Sequence, residues 1–338
     1  MRIAFIAHPN APGGWYRGIG PMLALNRRGH EIRQVARPGR SGETFHPELV
    51  SGCDVLHVYR RHELEVIDLV RVAKQRGIAV VYDNDDDMTA VPRDDANYRD
   101  YGGLAGDRAR SQIRRIIQMA DLVTSPSEVV AQRFREYGAQ HVQVIENYVP
   151  DATLRASAPS NGEDVVIGWL AGTEHHLDVK RVPVSDALGR LLDAHEHLRV
   201  RTIGIRFKLD HERYEPIQRV DFFDLPPVLA QWDIGMAVVA DIPFNQGRSS
   251  IKVKEYAALG RAWLASPVGP YARLGEKQGG RLVPDDRWYE EIERLLLHPR
   301  ERRKLAKRAA RWGRAQAISA NVGLWEDALK AAIARARG

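Results

Sequence analysis

The sequence predicts an α/β protein of two doubly wound parallel-sheet domains facing across a cleft. Three observations carry this. Short β-branched runs alternate with amphipathic helical stretches through the first half of the 338 residues. That alternation is the pattern of a parallel sheet with helices on both faces. Residues 149–164 (VPDATLRASAPSNGED) break it, being rich in Pro, Ala, Ser, Asn and Gly without apolar periodicity. This is linker composition. The alternation then restarts. A chain of this length accommodates two domains of roughly 100–200 residues each. The expected division is 1–150, a linker at 151–163, a second domain at 164–315, and a last helix in 316–338.

In the first half, strands are expected at 2–7, 31–36, 54–58, 79–83, 122–125 and 142–146. Helices are expected at 22–28, 65–75, 108–120 and 129–137. Gly29 and Gly77 stand where helices end, and Asp121 and Ser127 stand at element boundaries. In the second half, strands are expected at 165–170, 200–205, 234–239 and 263–265. Helices are expected at 183–195, 250–259 and 288–297. Two more follow at 301–314, which is basic and amphipathic, and at 322–337. Ligands of such sheets bind beyond the carboxyl ends of the strands, so the site is expected between the two domains.

Composition excludes several classes. Cys53 is the single cysteine, so neither an internal disulfide framework nor a CxxC metal or redox motif exists. No apolar run approaches the ~20 residues of a membrane span. The opening MRIAFIAHP reads as a strand and not as a signal peptide, so a cytoplasmic protein is expected. The net charge is +6, and only nine of the 50 basic residues are lysine. Arginine suits phosphate and carboxylate partners. No RNA- or DNA-binding signature accompanies the charge, so no specific nucleic acid is expected. The basic helix at 301–314 suits peripheral contact with an anionic membrane as well as a solvated surface.

Four segments carry chemistry. The first is HPNAPGGWYRGIGP, with Gly13, Gly14, Gly18 and Gly20. It lacks the G-x-G-x-x-G dinucleotide fingerprint. It reads as a flexible loop facing the cleft, with Trp15, Tyr16 and Arg17 open to a substrate, or else as aromatics packed over a sheet edge. The second is VVYDNDDDMTAVP, where Asp83, Asp85, Asp86 and Asp87 crowd a strand end. Such crowding suits a general base, a cation, or a solvated turn. The calcium-loop pattern is incomplete and no metal is expected. In DVLHVYRR, His57 reads as a core residue and Arg60 as a group that meets an anion.

The third segment is GWLAGTEHHLDVK. Gly172 and Thr173 follow a strand and bring backbone N–H groups to a phosphate. His175, His176 and Asp178 lie in the same loop, but adjacent histidines on a helix cannot both face one ion. The fourth is PFNQGRSSIKVKEYAALG. Gly247 and Arg248 lead to a helix start at Ser249 or Ser250, and a helix N-terminus attracts anions. Lys252 and Glu255 share a face of that helix. Lys252 and the helix terminus then hold a diphosphate, while Glu255 accepts from ribose hydroxyls. The plain alternative is a capped surface helix with an exposed Lys–Glu pair.

The run KVKEYAALGRAWLASPVGPY resembles the signature of GT-B glycosyltransferases, above all the large retaining family 4. Similar phrases are ALNRRGHEI, ADLVTSPSEVVAQRF, VQVIENYVP and VVIGWLAG. The resemblance implies two Rossmann-like domains, a last helix in 316–338 that crosses back to the first domain, and a nucleotide-diphosphate-sugar co-substrate, UDP- or GDP-linked, with no tightly bound cofactor. The donor meets Gly172, Thr173, Lys180, Gly247, Ser249, Ser250 and Glu255. The acceptor, a small molecule, glycan or lipid-linked group, meets Gly14, Tyr16, Arg17, Arg60 and Asp83 on the first domain. Arg248, Lys252 and the helix terminus stabilise the leaving diphosphate, which takes the acceptor's proton when configuration is retained. Asp85 is the base if it inverts. The chain departs from the family at Gly247, where a glutamate that meets the donor sugar is usual. The departure leaves two alternatives: a non-catalytic sugar-nucleotide or glycan-binding protein, and a nucleotide-sugar epimerase of the same fold.

Overall fold

The structure, a computed structural model, describes residues 1–9, 11–39, 42–95, 98, 103–159 and 161–338. The chain opens with β1 (Arg2–Ile6) and β2 (Glu31–Gln34), then a hairpin of β3 (Ala36–Gly39) and β4 (Gly42–Phe45). It continues through β5 (Val55–Tyr59), β6 (Ala79–Asp83), β7 (Leu122–Ser125) and β8 (Val142–Val144). These form a six-stranded sheet in the order β2-β1-β5-β6-β7-β8. Its pairings are all parallel.

The second sheet repeats the design with β9 (Val165–Ala171), β10 (Leu198–Gly204), β11 (Tyr214–Ile217), β12 (Ile234–Ala237), β13 (Ala262–Ala265) and β14 (Gly280–Leu282). Its order is β11-β10-β9-β12-β13-β14, again parallel throughout. Strands covered on both faces read as continuous apolar runs. β6 (AVVYD) and β9 (VVIGWLA) do so, and every residue in both is buried. The ligand crevice of such a sheet lies where the strand order reverses. That is beside β1 and β5 in the first sheet, and beside β9 and β12 in the second.

One face of the first sheet packs Ile6, Val58 and Val80 against Val66, Val70, Ile117 and Phe134. The other face packs Ile3, Phe5 and Val81 against Met22, Leu25 and the final helix, Ile318–Arg337. That helix uses Ile318, Val322, Trp325, Leu329 and Ala332, a single stripe at helical spacing. The last helix of the chain therefore completes the core of the first sheet. Val149 bridges to Ala317 beside it. The basic helix Pro299–Arg314 buries Leu305, Ala309 and Gly313. A Cβ on Gly313 would lie 2.4 Å from the Ala257 carbonyl, so glycine lets two helices touch there. Among the described residues no helix is long and apolar enough to cross a membrane.

The glycine-rich segment after β1 is not a flexible loop. Gly14–Ile19 forms a π-helical turn that runs directly into the helix Gly20–Arg27. A Cβ at Gly14 would sit 2.1 Å from the His8 carbonyl oxygen, and one at Gly18 would sit 2.4 Å from Ala7 Cβ. The glycines serve close packing here. The hairpin β3–β4 and the edge strands β11 and β14 were also not expected. Nor were the short helices Leu225–Leu229 and Pro243–Gly247, whereas His176–Arg181 falls where a helix or turn was expected after Gly172 and Thr173. All are too short for periodicity to register.

Candidate active site

The carboxyl ends of the two sheets enclose a cavity of about 280 Å³. Its first wall begins at Arg60, directly after β5, which has φ +58°. That conformation is costly for a residue with a Cβ and is kept only where the surroundings impose it. The Arg60 N–H donates to the Asp83 carbonyl at 2.7 Å. The guanidinium then reaches Asp86 at 3.0 Å and Asp85 at 3.6 Å. Tyr59 donates its hydroxyl to Asp85 at 2.7 Å. Burial raises the Asp86 carboxyl, with Arg60 pulling against it and Asp85 adding to it.

The second wall comes from two loops. After β9, a Cβ on Gly172 would lie 2.1 Å from Glu174 Oε2, so glycine makes room for that carboxylate. Glu174 pairs with Arg248 at 3.1 Å. Burial alone would raise the Glu174 carboxyl, but His175, Arg248 and Lys252 hold it well below the ordinary range. His175 is buried, and its Nδ1 lies 2.6 Å from Asp178 Oδ2. Burial and Arg248 keep the imidazole's pKa low. After β12, the helix Ile251–Ala258 starts at the cavity, where Ser249, Ile251 and Lys252 line it. No side chain caps this helix, so its first-turn N–H groups remain for an anion.

The two walls are tied together. Tyr16 Oη donates to Glu255 Oε1 at 2.5 Å, and Asn147 Nδ2 donates to Ser249 Oγ at 3.1 Å. Ser127 Oγ donates to the Gly247 carbonyl at 2.7 Å. Lys254, almost wholly buried, donates to Glu146 at 2.5 Å and to the Asn147 carbonyl at 2.9 Å.

Of the residues singled out from sequence, the cavity gathers Tyr16, Arg60, Asp85, Arg248, Ser249 and Lys252. Others lie elsewhere. Arg17 and Asp83 were expected to face an acceptor, but both side chains are completely buried and paired at 2.5 Å. Arg17 also donates to Asn147 and to the Ile145 carbonyl, and Asp83 accepts from Thr124. They hold the strand ends in place. Lys180 opens onto a separate pocket beside Arg206 and Lys208. Glu255 is buried behind Tyr16, with Oε2 lacking a partner. Gly14 packs on His8, Ser250 starts the helix Ile251–Ala258, and Thr173 begins a single 3-10 turn. Asp87 caps the turn Met88–Ala90. Among the described residues no group of three or more His, Cys, Asp or Glu is placed to hold a metal ion.

A scan against protein-family models matches none, and a search of curated proteins finds no match. Solved structures match over nearly the whole chain. An alpha-glucosyltransferase in complex with UDP-glucose and DNA containing an abasic site superposes with a TM-score of 0.70, at 12% identity, over 98% of this chain and 99% of that one. Anabaena HepE in complex with UDP-glucose gives 0.65 at 12% identity, over 98% and 99%. Sucrose-phosphate synthase from Thermosynechococcus elongatus gives 0.64 at 13% identity, over 98% and 100%. The chain has the GT-B fold.

Within this GT-B chain, the residues missed from sequence are Glu174, Asn147 and Tyr271, all lining the cavity. Glu174 is adjacent to Gly172-Thr173, and its signal was an acid directly after a glycine-bearing strand end. Asn147 follows β8 and Tyr271 follows β13, with no local pattern to mark either. The absence of a side chain at Gly247 has a packing reason. A Cβ there would lie 3.1 Å from Val130 Cγ2 of the first domain.

Proposed function

We propose that this protein transfers a sugar from a nucleotide-diphosphate sugar, UDP- or GDP-linked, to a hydroxyl of an acceptor. One observation carries the reading. The cavity between the sheets is lined by Arg248, Lys252 and the uncapped start of the helix Ile251–Ala258, a cationic seat for a diphosphate. The donor would lie mainly on the second domain, with the acceptor reaching it from the first.

In the proposed reaction the acceptor hydroxyl oxygen bonds to the anomeric carbon as the bond from that carbon to the phosphate oxygen breaks. Attack comes from the face that the phosphate leaves, so the hydroxyl proton passes to the departing phosphate oxygen and configuration is retained. Arg248, Lys252 and the helix terminus meet the charge that grows on the diphosphate. These groups can supply that neutralisation themselves, so the reading requires no metal. Asp85 and Asp86 are both engaged with Arg60, and Asp85 also with Tyr59. The reading therefore assigns these carboxylates to holding Arg60 and gives the proton to the phosphate.

Calorimetric titration with UDP, GDP, ADP and dTDP, with and without magnesium, tests the reading. Saturable binding of one of them without magnesium is expected. Binding of none would overturn the transferase and leave a glycan-binding module.

A further inference from the structure

The first domain contains a second cavity that the donor reading leaves unused. It encloses about 180 Å³ and shares Arg60, Asp86 and Met88 with the cleft. Those three residues line both spaces, so the cavity and the cleft adjoin there. The remaining sides are Ala109 and Ile113, from the helix Gly103–Met119, and Phe134 and Tyr137, at the end of the helix Glu128–Glu136.

We propose that this cavity receives the ring of an aromatic alcohol and that this alcohol is the acceptor. The proposal rests on the transferase reading above. Size is the first argument, since an apolar cavity of about 150 Å³ admits a single benzene ring. Chemistry is the second. The ring faces of Phe134 and Tyr137 and the thioether of Met88 make favourable contacts with an aromatic ring.

The polar groups around the cavity are mostly committed to one another. Asp87 accepts from Thr89 N at 3.1 Å and Thr89 Oγ1 at 2.6 Å, and pairs with Arg133 at 3.1 Å. Asn84 Oδ1 accepts from the Asp86 N–H at 3.2 Å. Arg110 Nε is buried without a hydrogen-bond partner, while the outer nitrogen of the same guanidinium pairs with Asp107 at 3.1 Å. The buried Tyr137 hydroxyl neighbours Thr89, and each of these groups can donate to a ligand oxygen. A sugar in the same space would leave most of its hydroxyls unpaired against Ile113, Phe134 and Met88, at a cost for each. A ring with two oxygens does better. One oxygen meets Tyr137 or Arg110, while the other lies beside Arg60 and Asp86, where the cavity adjoins the cleft, as the reacting hydroxyl.

Hydroquinone is the probe, titrated into the full chain alongside UDP and GDP. Saturable hydroquinone binding is expected. Ala109→Leu fills the cavity and should weaken it by about tenfold or more, with nucleotide binding unchanged. Tyr137→Phe keeps the volume and should weaken hydroquinone severalfold while sparing phenol. Hydroquinone that fails to saturate the wild type, or that binds both variants as tightly as the wild type, overturns the proposal. If a nucleotide binds and hydroquinone does not, the acceptor proposal falls alone. If hydroquinone binds as described and no nucleoside diphosphate does, the transferase reading falls, and the acceptor role falls with it.

Discussion

Tyr16 of the first domain donates its hydroxyl to Glu255 of the second at 2.5 Å, and both side chains are buried. The bond occupies Oε1 and leaves Oε2 buried without a partner. Burial raises the Glu255 carboxyl, with Lys252 and the Tyr16 hydroxyl offsetting part of the rise. A ribose seeking this acid competes with the phenol. Glu255→Ala should weaken nucleoside-diphosphate binding by about 1–3 kcal/mol, and Tyr16→Phe should strengthen it by about 0.5–1.5 kcal/mol. Calorimetry on both variants checks this. Weaker binding in Tyr16→Phe would make Tyr16 a donor contact and not a competitor.

The Arg17–Asp83 pair sets a stability limit in acid. Burial alone would raise the Asp83 carboxyl, but Arg17 and His57 hold it below the ordinary range. A native carboxyl held low stabilises the fold above its unfolded value, about 3.9 for Asp. That stabilisation is lost as pH falls through the native value. Arg17→Met strands a buried carboxylate and should cost about 3–5 kcal/mol at neutral pH. Asp83→Asn should flatten the acid side of the stability profile. Urea unfolding from neutral to acidic pH reads both effects.

Arg248 lines the cavity at the proposed leaving group, paired with Glu174. Replacing it with Ala should lower kcat by about 10²–10³ if it meets charge that appears only in the transition state. KM should change less. A matched rise in KM with kcat intact would assign it to ground-state binding. Turnover with the nucleotide sugar identified by titration is the measurement.

Gly247→Glu should destabilise the chain by about 1–3 kcal/mol through overpacking. The new side chain meets Val130 and disturbs the Ser127 bond to the Gly247 carbonyl. Val130→Ala in the same chain should recover part of the loss. Thermal melts of the single and double variants decide it, and a neutral Gly247→Glu would remove the packing explanation.

Much of the architecture was legible because its signals are local. β6 and β9 are continuous apolar runs, and Gly77 and Ser127 mark helix ends through their own backbone and side chain. Arg248, Ser249 and Lys252 were legible because a glycine-bearing loop, a helix start and a lysine fall within one segment. Arg17 and Asp83 were misread because nothing local distinguishes a buried ion pair from a cleft-facing one. Their sequence separation is 66 residues, and only the sheet brings them together. Glu174 and Asn147 were missed because their partners Arg248 and Ser249 lie 74 and 102 residues away, in a loop of the second domain.

The sequence alone determined the alternation of strands and helices, the break in it near residue 150, and the helix start at Ser250. Each depends on the order of residues within a single element or loop. The tertiary structure decided which of the candidates face open space. It buried Arg17 and Asp83 and set Tyr16 on Glu255. It packed Gly247 against Val130. Those outcomes depend on how two sheets and their connecting loops meet, and residue order encodes that only through the complete fold.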